Sequence, residues 1–547
     1  MIPIPSSNYT IDDIRDNEAV SDVKAQITIY FQDGLNGAYS SSFQLGVASS
    51  SAVLQNYCTN LTLNEQLTSK NKNSILGNIA GNTLSLKITS NDRTLIPNNT
   101  LSPYYGYMDN TAIIDVIFTF KHKVTGNTIS VFMGRFFVDS WEGGTSASTS
   151  NQITISAVNL YSKLKNISLA RIKNRTYKSF VDYILDIVNK INSSLSNQEY
   201  HLKVEQDSNN EYIGVDIFKN LSYDWQLVYN NIDRDTVETL FNNIVNDTIS
   251  FIWVDRQGYI RCDNLLDDQS EQSLTSLTGS TNLFEYSVTT GDYSTNSGLR
   301  VTYINKINIV RDELLRLSDI ELLQGTNQIL NKTMKFDNVY DIEQIELICE
   351  NGTAKCLSFD YYKKSLNLVV LAEQNTKADI VVYGRHIDED TSSITKYQND
   401  EKQSTLLDIK NRTLRKEIIG RYTDGLLFLM QCKNNQVNCS GYINPCLKLG
   451  DVVTFTGLKF NVSGLYKIVG LKYTLNGASY RCNAQLLNTS NIDIDVDTIL
   501  YDQIRQLEAC LRGGTINPLS IQDISAANDA TVQADAVVAE LLNELDN

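Results

Sequence analysis

Histidine does most acid–base work near neutral pH, and this chain of 547 residues holds three: His122, His201 and His386. Only His386 stands beside acids, ahead of Asp388, Glu389 and Asp390, residue types that could hold a divalent cation. No second histidine follows at helical spacing and the segment reads as a polar loop, so a solvated turn is expected and no metal. Asp493, Asp495 and Asp497 open like a calcium loop. The sixth position, however, is Thr498 where glycine is needed, and the twelfth is Ile504 where a bidentate glutamate is needed. Nine cysteines are too sparse for a disulfide framework, and none form a CxxC pair. Cys432, Cys439 and Cys446 recur at every seventh position, a spacing without ligand logic. Free thiols in a reducing cytoplasm, buried or indifferent, are the expectation.

Asn438-Cys439-Ser440-Gly441 resembles the Asp-Cys-Ser-Gly nucleophile signature of cell-wall cysteine peptidases, with Asn in place of the leading Asp. In that family the imidazole that makes the thiolate lies downstream, and no histidine follows His386 here. GxSxG, HExxH, P-loop and post-strand GxGxxG patterns are absent. Carboxylate pairs for glycoside chemistry stay open, because Asp and Glu occur throughout and sequence spacing does not fix spatial spacing. Trp141-Glu142 is placed in a loop where a sugar could stack, although a packed tryptophan between strands is favoured. The expectation is a chain that is not an enzyme, with no catalytic, cofactor-binding or metal residues and no cofactor.

Composition narrows the class further. Lys plus Arg is 47 and Asp plus Glu is 63, a net charge of −16, whose mean field repels phosphate and argues against a nucleic-acid or anionic-membrane binder. The apolar runs near Leu426–Met430 and Leu368–Ala372 fall far short of the roughly 18 residues a membrane helix requires, so no membrane-spanning segment is expected. The start, from Met1 to Asn8, has neither the basic region nor the apolar core of a signal peptide. Triplets such as Asn60-Leu61-Thr62 are therefore taken as bystanders rather than glycan acceptors. Six prolines and 29 tyrosines, with abundant Asn, Ser, Thr and Ile, favour strands and polar turns over helix bundles.

The elements that would position any site follow from periodicity. Residues 1–20 read as a polar arm. Residues 21–165 read as a first antiparallel β-barrel, with period-two strands at Ala25–Phe31, Thr83–Ile88, Ile113–Phe120 and Gln152–Ala157. Residues 166–290 read as an α+β domain. Thr176 caps a helix carrying Phe180, Ile184, Ile187, Val188 and Ile191, and Asp235 with Glu238 forms a capping box ahead of a second helix. Ser250–Val254, the turn Asp255-Arg256-Gln257-Gly258 and Tyr259–Cys262 then form a hairpin. Residues 291–310 and 405–490 read as a second β-barrel, with a helix near Leu406–Tyr422 leading into the apolar run Leu426–Gln431 and an Asn476-Gly477 hairpin. Residues 311–404 read as an inserted β-rich domain. In the tail, 491–547, Ala530, Ala534, Val537, Val538, Leu541, Leu542 and Leu545 predict an amphipathic helix without its own core.

Three stretches, in this order, resemble the baseplate hub (tail-tip) proteins of tailed bacteriophages and related contractile injection systems. Gly134-Arg135-Phe136-Phe137-Val138-Asp139 with Ile153–Leu160 resembles the closing hairpin of that family's first barrel. Thr236–Val245 with Phe251–Val254, Asp255, Gly258 and Tyr259-Ile260-Arg261 resembles its helix–hairpin unit. Asn444-Pro445-Cys446-Leu447-Lys448-Leu449-Gly450-Asp451-Val452-Val453 resembles the entry to its second barrel, followed by Gly464–Val469.

The resemblance implies a β-rich α+β fold with two tail-tube-like barrels, and a structural virion protein at the tail tip, assembled in the host cytoplasm. It implies a homotrimer that closes the tail tube. The partners would be tail tube and distal tail proteins, with the tape measure protein and tail fibres as further candidates. Genome DNA would pass through without specific binding, and an acidic channel would let it slide. Two alternatives stand beside this: a receptor- or glycan-binding tail protein using residues 311–400, and a tail-associated cell-wall hydrolase.

Overall fold

Alternating apolar and polar residues dominate the chain, and such segments lie half-buried as strands. The computed structural model describes residues 2–15, 20–48, 55–69, 78–122, 126–146, 149–168, 176–177, 180–215, 225–226, 236–248, 250–264, 273–278, 283–289, 296–336, 339–362, 364–397, 405–410, 416–433, 436–457, 462–477 and 479–488. The helix expected near Ala530–Leu545, the Asp493–Asp497 run and Asp235 lie outside the described residues.

Thirteen strands join in one sheet. In chain order they are β1 (Val20–Phe31), β2 (Ser41–Gly46), β3 (Asn56–Gln66), β4 (Thr83–Ser90), β5 (Ile113–His122), β6 (Thr128–Ser146), β7 (Thr149–Val158), β8 (Ser276–Thr278), β9 (Leu283–Thr289), β10 (Gln436–Gly441), β11 (Val452–Gly457), β12 (Val462–Asn476) and β13 (Ser479–Asn488). Hydrogen bonding runs β9-β10-β13-β12-β3-β4-β7-β6-β5-β1-β2, and β11 bonds to both β12 and β8. All these pairs are antiparallel except β8 with β11. The fold is β-rich α+β.

Two closed barrels are not what forms. The physical reason lies in β12, whose fifteen residues outrun the six of its neighbour β11. β11 covers 462–467 and leaves the edge at 470–476 needing partners, and β3, from the other end of the sequence, supplies them. The seam pairs Gly470 with Gln66, Lys472 with Asn64, Thr474 with Thr62 and Asn476 with Asn60. The first β block curls back on itself through one parallel bridge, Val47 to Cys58, which does not extend into a ladder. The two blocks are thus one open sheet.

The three longer helices are α1 (Phe180–Ser193), α2 (Val237–Thr248) and α3 (Lys416–Lys433), and their buried residues join the same apolar core as the sheet. α1 begins four residues after Thr176, which instead lies in a two-residue strand paired with Trp225–Gln226. α2 is capped by Thr236, whose Oγ1 accepts the Thr239 amide at 3.3 Å, while Ile167 and Lys165 carbonyls accept its first two amides. The helix expected near Leu406 lies further on. Residues 405–410 form a strand, and the apolar run Leu426–Met430, placed beyond the end of the expected helix, lies in the second half of α3. Ile419, Tyr422, Leu426, Leu429 and Met430 are all buried, at steps of three and four that only a helix brings to one face. The two glycines inside that stretch, Gly420 and Gly425, mask its helical character in the sequence.

The Asn476-Gly477 turn forms as expected, with Asn476 paired to Ser479 and Gly477 at φ 58°. Residues 296–322 and 376–397 are two long strands that pair with each other antiparallel. Beyond about residue 314 they carry a separate apolar core, centred on Leu314, Leu366, Leu368, Val370, Ile380 and Val382. Every other buried apolar group named above belongs to the single large core behind the sheet.

Candidate functional site

The residues with chemical potential are placed as follows. His386 lies mid-strand, not in a loop, stacked on Phe336 with ring centroids 3.6 Å apart. It is buried, and Asp312 is the acid nearest to ion-pair range, at 3.9 Å. Among the described residues no group of three or more His, Cys, Asp or Glu could hold a metal. Trp141 is likewise in a strand, β6, where its ring stacks beside Phe31 and its Nε1 donates to the Asp109 carbonyl at 2.9 Å. It packs inward.

Cys439 and Cys446 are buried, and burial pushes each thiol up to about 12, as it does Cys58. A thiol held so far from ionisation makes no nucleophile at neutral pH. Cys482 is driven up by burial as well. We therefore expect Cys58, Cys439, Cys446 and Cys482 to resist iodoacetamide in the native protein at pH 8 and to alkylate fully in urea. Peptide mass mapping before and after denaturation checks this, and native labelling of Cys439 would contradict it.

What the structure brings together instead is the outward face of the sheet. Along β3 the alternation Asn60, Thr62, Asn64, Gln66 points away from the core, while Leu61, Leu63 and Glu65 point into it. β13 repeats this with Ser479, Arg481, Asn483 and Gln485 outward and Tyr480, Cys482, Ala484 and Leu486 inward. Because the registers align, polar side chains form rows across both β blocks. One row runs Glu285, Ser440, Asn483, Lys472, Asn64, Thr83. The next runs Arg481, Thr474, Thr62, Ser85, Ser156, Ser140. A third runs Ser479, Asn476, Asn60, Lys87, Thr154, Glu142. These eighteen positions hold three cations and two anions, and Arg481 is paired with Glu285. The face is hydroxyl- and amide-lined and close to neutral, so the acidic surplus of the chain is not here. At one end it dips into a groove of about 450 Å³ lined by Asn64, Gln66, Ser287, Asn438, Asn483 and Gln485.

Behind the seam sits a buried arginine. Arg256, in the turn between Ser250–Val254 and Ile260–Asn264, reaches Glu65 of β3 with Nε and Nη2, both at 2.8 Å. Its other donors satisfy the Pro445 carbonyl at 2.8 Å, the Leu447 carbonyl at 2.9 Å and the Tyr473 hydroxyl of β12 at 2.9 Å. Burial works against the charge, but Glu65 and Tyr473 outweigh it and hold the guanidinium well above its usual range. The turn is itself fixed by Asp255, whose Oδ1 accepts the Gln257 and Tyr259 amides at 2.9 Å, and by Gly258 at φ 86°. Two motifs far apart in sequence, Asp255–Gly258 and Asn444–Val453, thus meet at one guanidinium. Sequence reasoning singled out both segments and missed their junction. It also passed over Asn60 and Thr62, which lie on the polar face; the signal was Asn, Thr, Ser or Gln at every second position of consecutive strands.

No protein-family model matches the chain, and no curated protein matches its sequence. Solved structures overlap it loosely. A tail protein from Neisseria meningitidis MC58 is 10% identical, with 85% of this chain and 96% of that chain covered at a TM-score of 0.40. The 43 kDa tail protein of prophage MuSo2 from Shewanella oneidensis is 9% identical, with 85% and 98% covered at 0.41. The prophage tail protein gp18 from Listeria monocytogenes EGD-e is 10% identical, with 88% and 99% covered at 0.39. Overlaps this loose carry no argument about what this chain does.

Proposed function

We propose that the chain is a structural hub protein of a phage-type tail, a homotrimer whose polar sheet face lines the passage for genome DNA. The reading begins from the sequence resemblance, and one structural observation carries it: the near-neutral hydroxyl and amide face runs unbroken across the seam between the two β blocks. A wall for a sliding polyanion must not bind phosphate, because each cation contact releases counterions and adds affinity. It must also not present apolar or strongly charged patches. Alternating Asn, Ser, Thr and Gln meet both conditions without an acidic lining. The chain does no chemistry in this role and needs no cofactor.

Two measurements test the proposal together. Light scattering across a concentration series is expected to give a mass near three times 61.4 kDa. Wild-type protein is expected to pass a DNA column unretained at low salt, whereas the triple substitution Thr62→Arg, Ser85→Arg and Asn483→Arg is retained and elutes with added salt. A monomer at every concentration whose native face already binds DNA would overturn the reading.

A further inference from the structure

A small cavity lies where four segments converge: the N-terminal strap at Ile4, β6 at Arg135 and Phe137, Glu199 to Lys203, and the Arg256-bearing turn at Val254–Gly258. Its volume is about 30 Å³. Asn159 lines it, only 6% exposed, and its Nδ2 has no hydrogen-bond partner among the described residues. The amide cannot be turned round to cure this. Oδ1 accepts the Ser162 amide at 3.1 Å and caps the short helix Leu160–Leu164, so a flip would set two donors against each other.

We propose that this cavity is a hydration site, binding about two water molecules with Asn159 Nδ2 as the anchoring donor. Size and charge both select water. At 10–15 Å³ per water a 30 Å³ cavity holds two or three, and it holds no larger organic group. Its charged lining residues are Arg135, Lys203 and Arg256 against Glu199 and Asp255, and the Arg256 guanidinium is taken up by Glu65 outside the cavity, so no net charge is left to favour an ion of either sign. A buried water also needs acceptors and donors in turn. His201 lines the cavity, and its Nε2 lies 3.2 Å from the Leu195 carbonyl, which can only accept, so Nδ1 is the ring nitrogen left to bond a water. An unmet amide donor in the interior would otherwise cost about 1–3 kcal/mol.

The site is roofed by the strap. Arg135 Nη1 donates to the Ile2 carbonyl at 2.9 Å and Nη2 to the Pro3 carbonyl at 3.1 Å, while Glu199 accepts the Ile2 amide. The waters would therefore be held where strap, sheet and turn join. This inference does not depend on the hub reading.

A crystal structure of the full chain, refined to show ordered solvent, tests it directly, with a second crystal soaked in bromide. The expected result is solvent density about 2.7–3.2 Å from Asn159 Nδ2, with no bromide anomalous peak in the cavity. An empty cavity, a protein carbonyl seated against Nδ2, or a bromide peak would each overturn the proposal. Long-lived water detected by magnetic relaxation in solution, absent when residues 2–8 are deleted, is the expected second result; unchanged relaxation in that deletion would count against the strap as its roof.

Discussion

Replacing Glu65 with glutamine is expected to lower the stability of the folded chain by about 3–5 kcal/mol. The neutral amide keeps the shape and leaves the Arg256 charge buried without its counter-ion, and an arginine cannot escape by losing its proton. Arg256 touches β3, β12 and the Pro445–Leu447 segment at once, so the loss falls on the seam rather than on one strand. The double variant Glu65→Leu with Arg256→Met should recover much of it, because removing both charges removes the desolvation penalty. It will not recover all, since the Pro445 and Leu447 carbonyls lose a donor. Urea midpoints of the three proteins, read by tryptophan fluorescence, check the order. A single-variant loss under about 1 kcal/mol would mean that solvent reaches the guanidinium, since exposed pairs are worth no more.

The same seam shows how far the sequence could be read. Local periodicity was legible: β1, β4, β5, β7 and β13 follow from alternation, and α1 and α2 follow from three-and-four spacing, because those signals lie within a dozen residues. Register between distant strands was not. Nothing in Asn60–Gln66 states that its partner is Gly470–Asn476, some four hundred residues on. That pairing turns two expected barrels into one open sheet and merges two modest polar alternations into one face. The misplacing of the helix expected over Leu406–Tyr422 has a different cause. The five apolar residues Leu426–Met430 fit a buried strand as well as a buried helix, and only the burial of Tyr422 and Ile419, one and two turns earlier, decides. Arg256 was missed because a charged residue in a tight turn is ordinarily solvated.

Removing Arg135 is expected to act as strongly as the Glu65 change, with a pH dependence that Glu65→Gln lacks. Arg135 grips Asp115 of β5 with Nε and Nη2, both at 2.8 Å, and Glu199 at 2.9 Å, and both carboxylates are buried. Burial raises the Asp115 carboxyl above its ordinary value, Arg135 pulls it back and Glu199 pushes it further up. A carboxyl raised in the fold favours the folded state while it is protonated, below its unfolded value near 3.9, and that contribution is lost as pH rises through the folded value. In Arg135→Met the downward pull disappears, so Asp115 rises further and its ionisation opposes folding more. The penalty should therefore be largest at pH 7, about 3–5 kcal/mol, and shrink steadily toward pH 4. The Glu65→Gln penalty should stay level over that range, because its buried charge is a guanidinium. Freed from Arg135, the Ile2 and Pro3 carbonyls also release the strap, so limited proteolysis should remove the first residues of the variant and spare the wild type. Urea midpoints at pH 4.5 and 7 decide the matter: an Arg135→Met loss of equal size at both would show that Asp115 does not carry the effect, since only a titrating carboxyl can make the cost of losing a cation depend on pH.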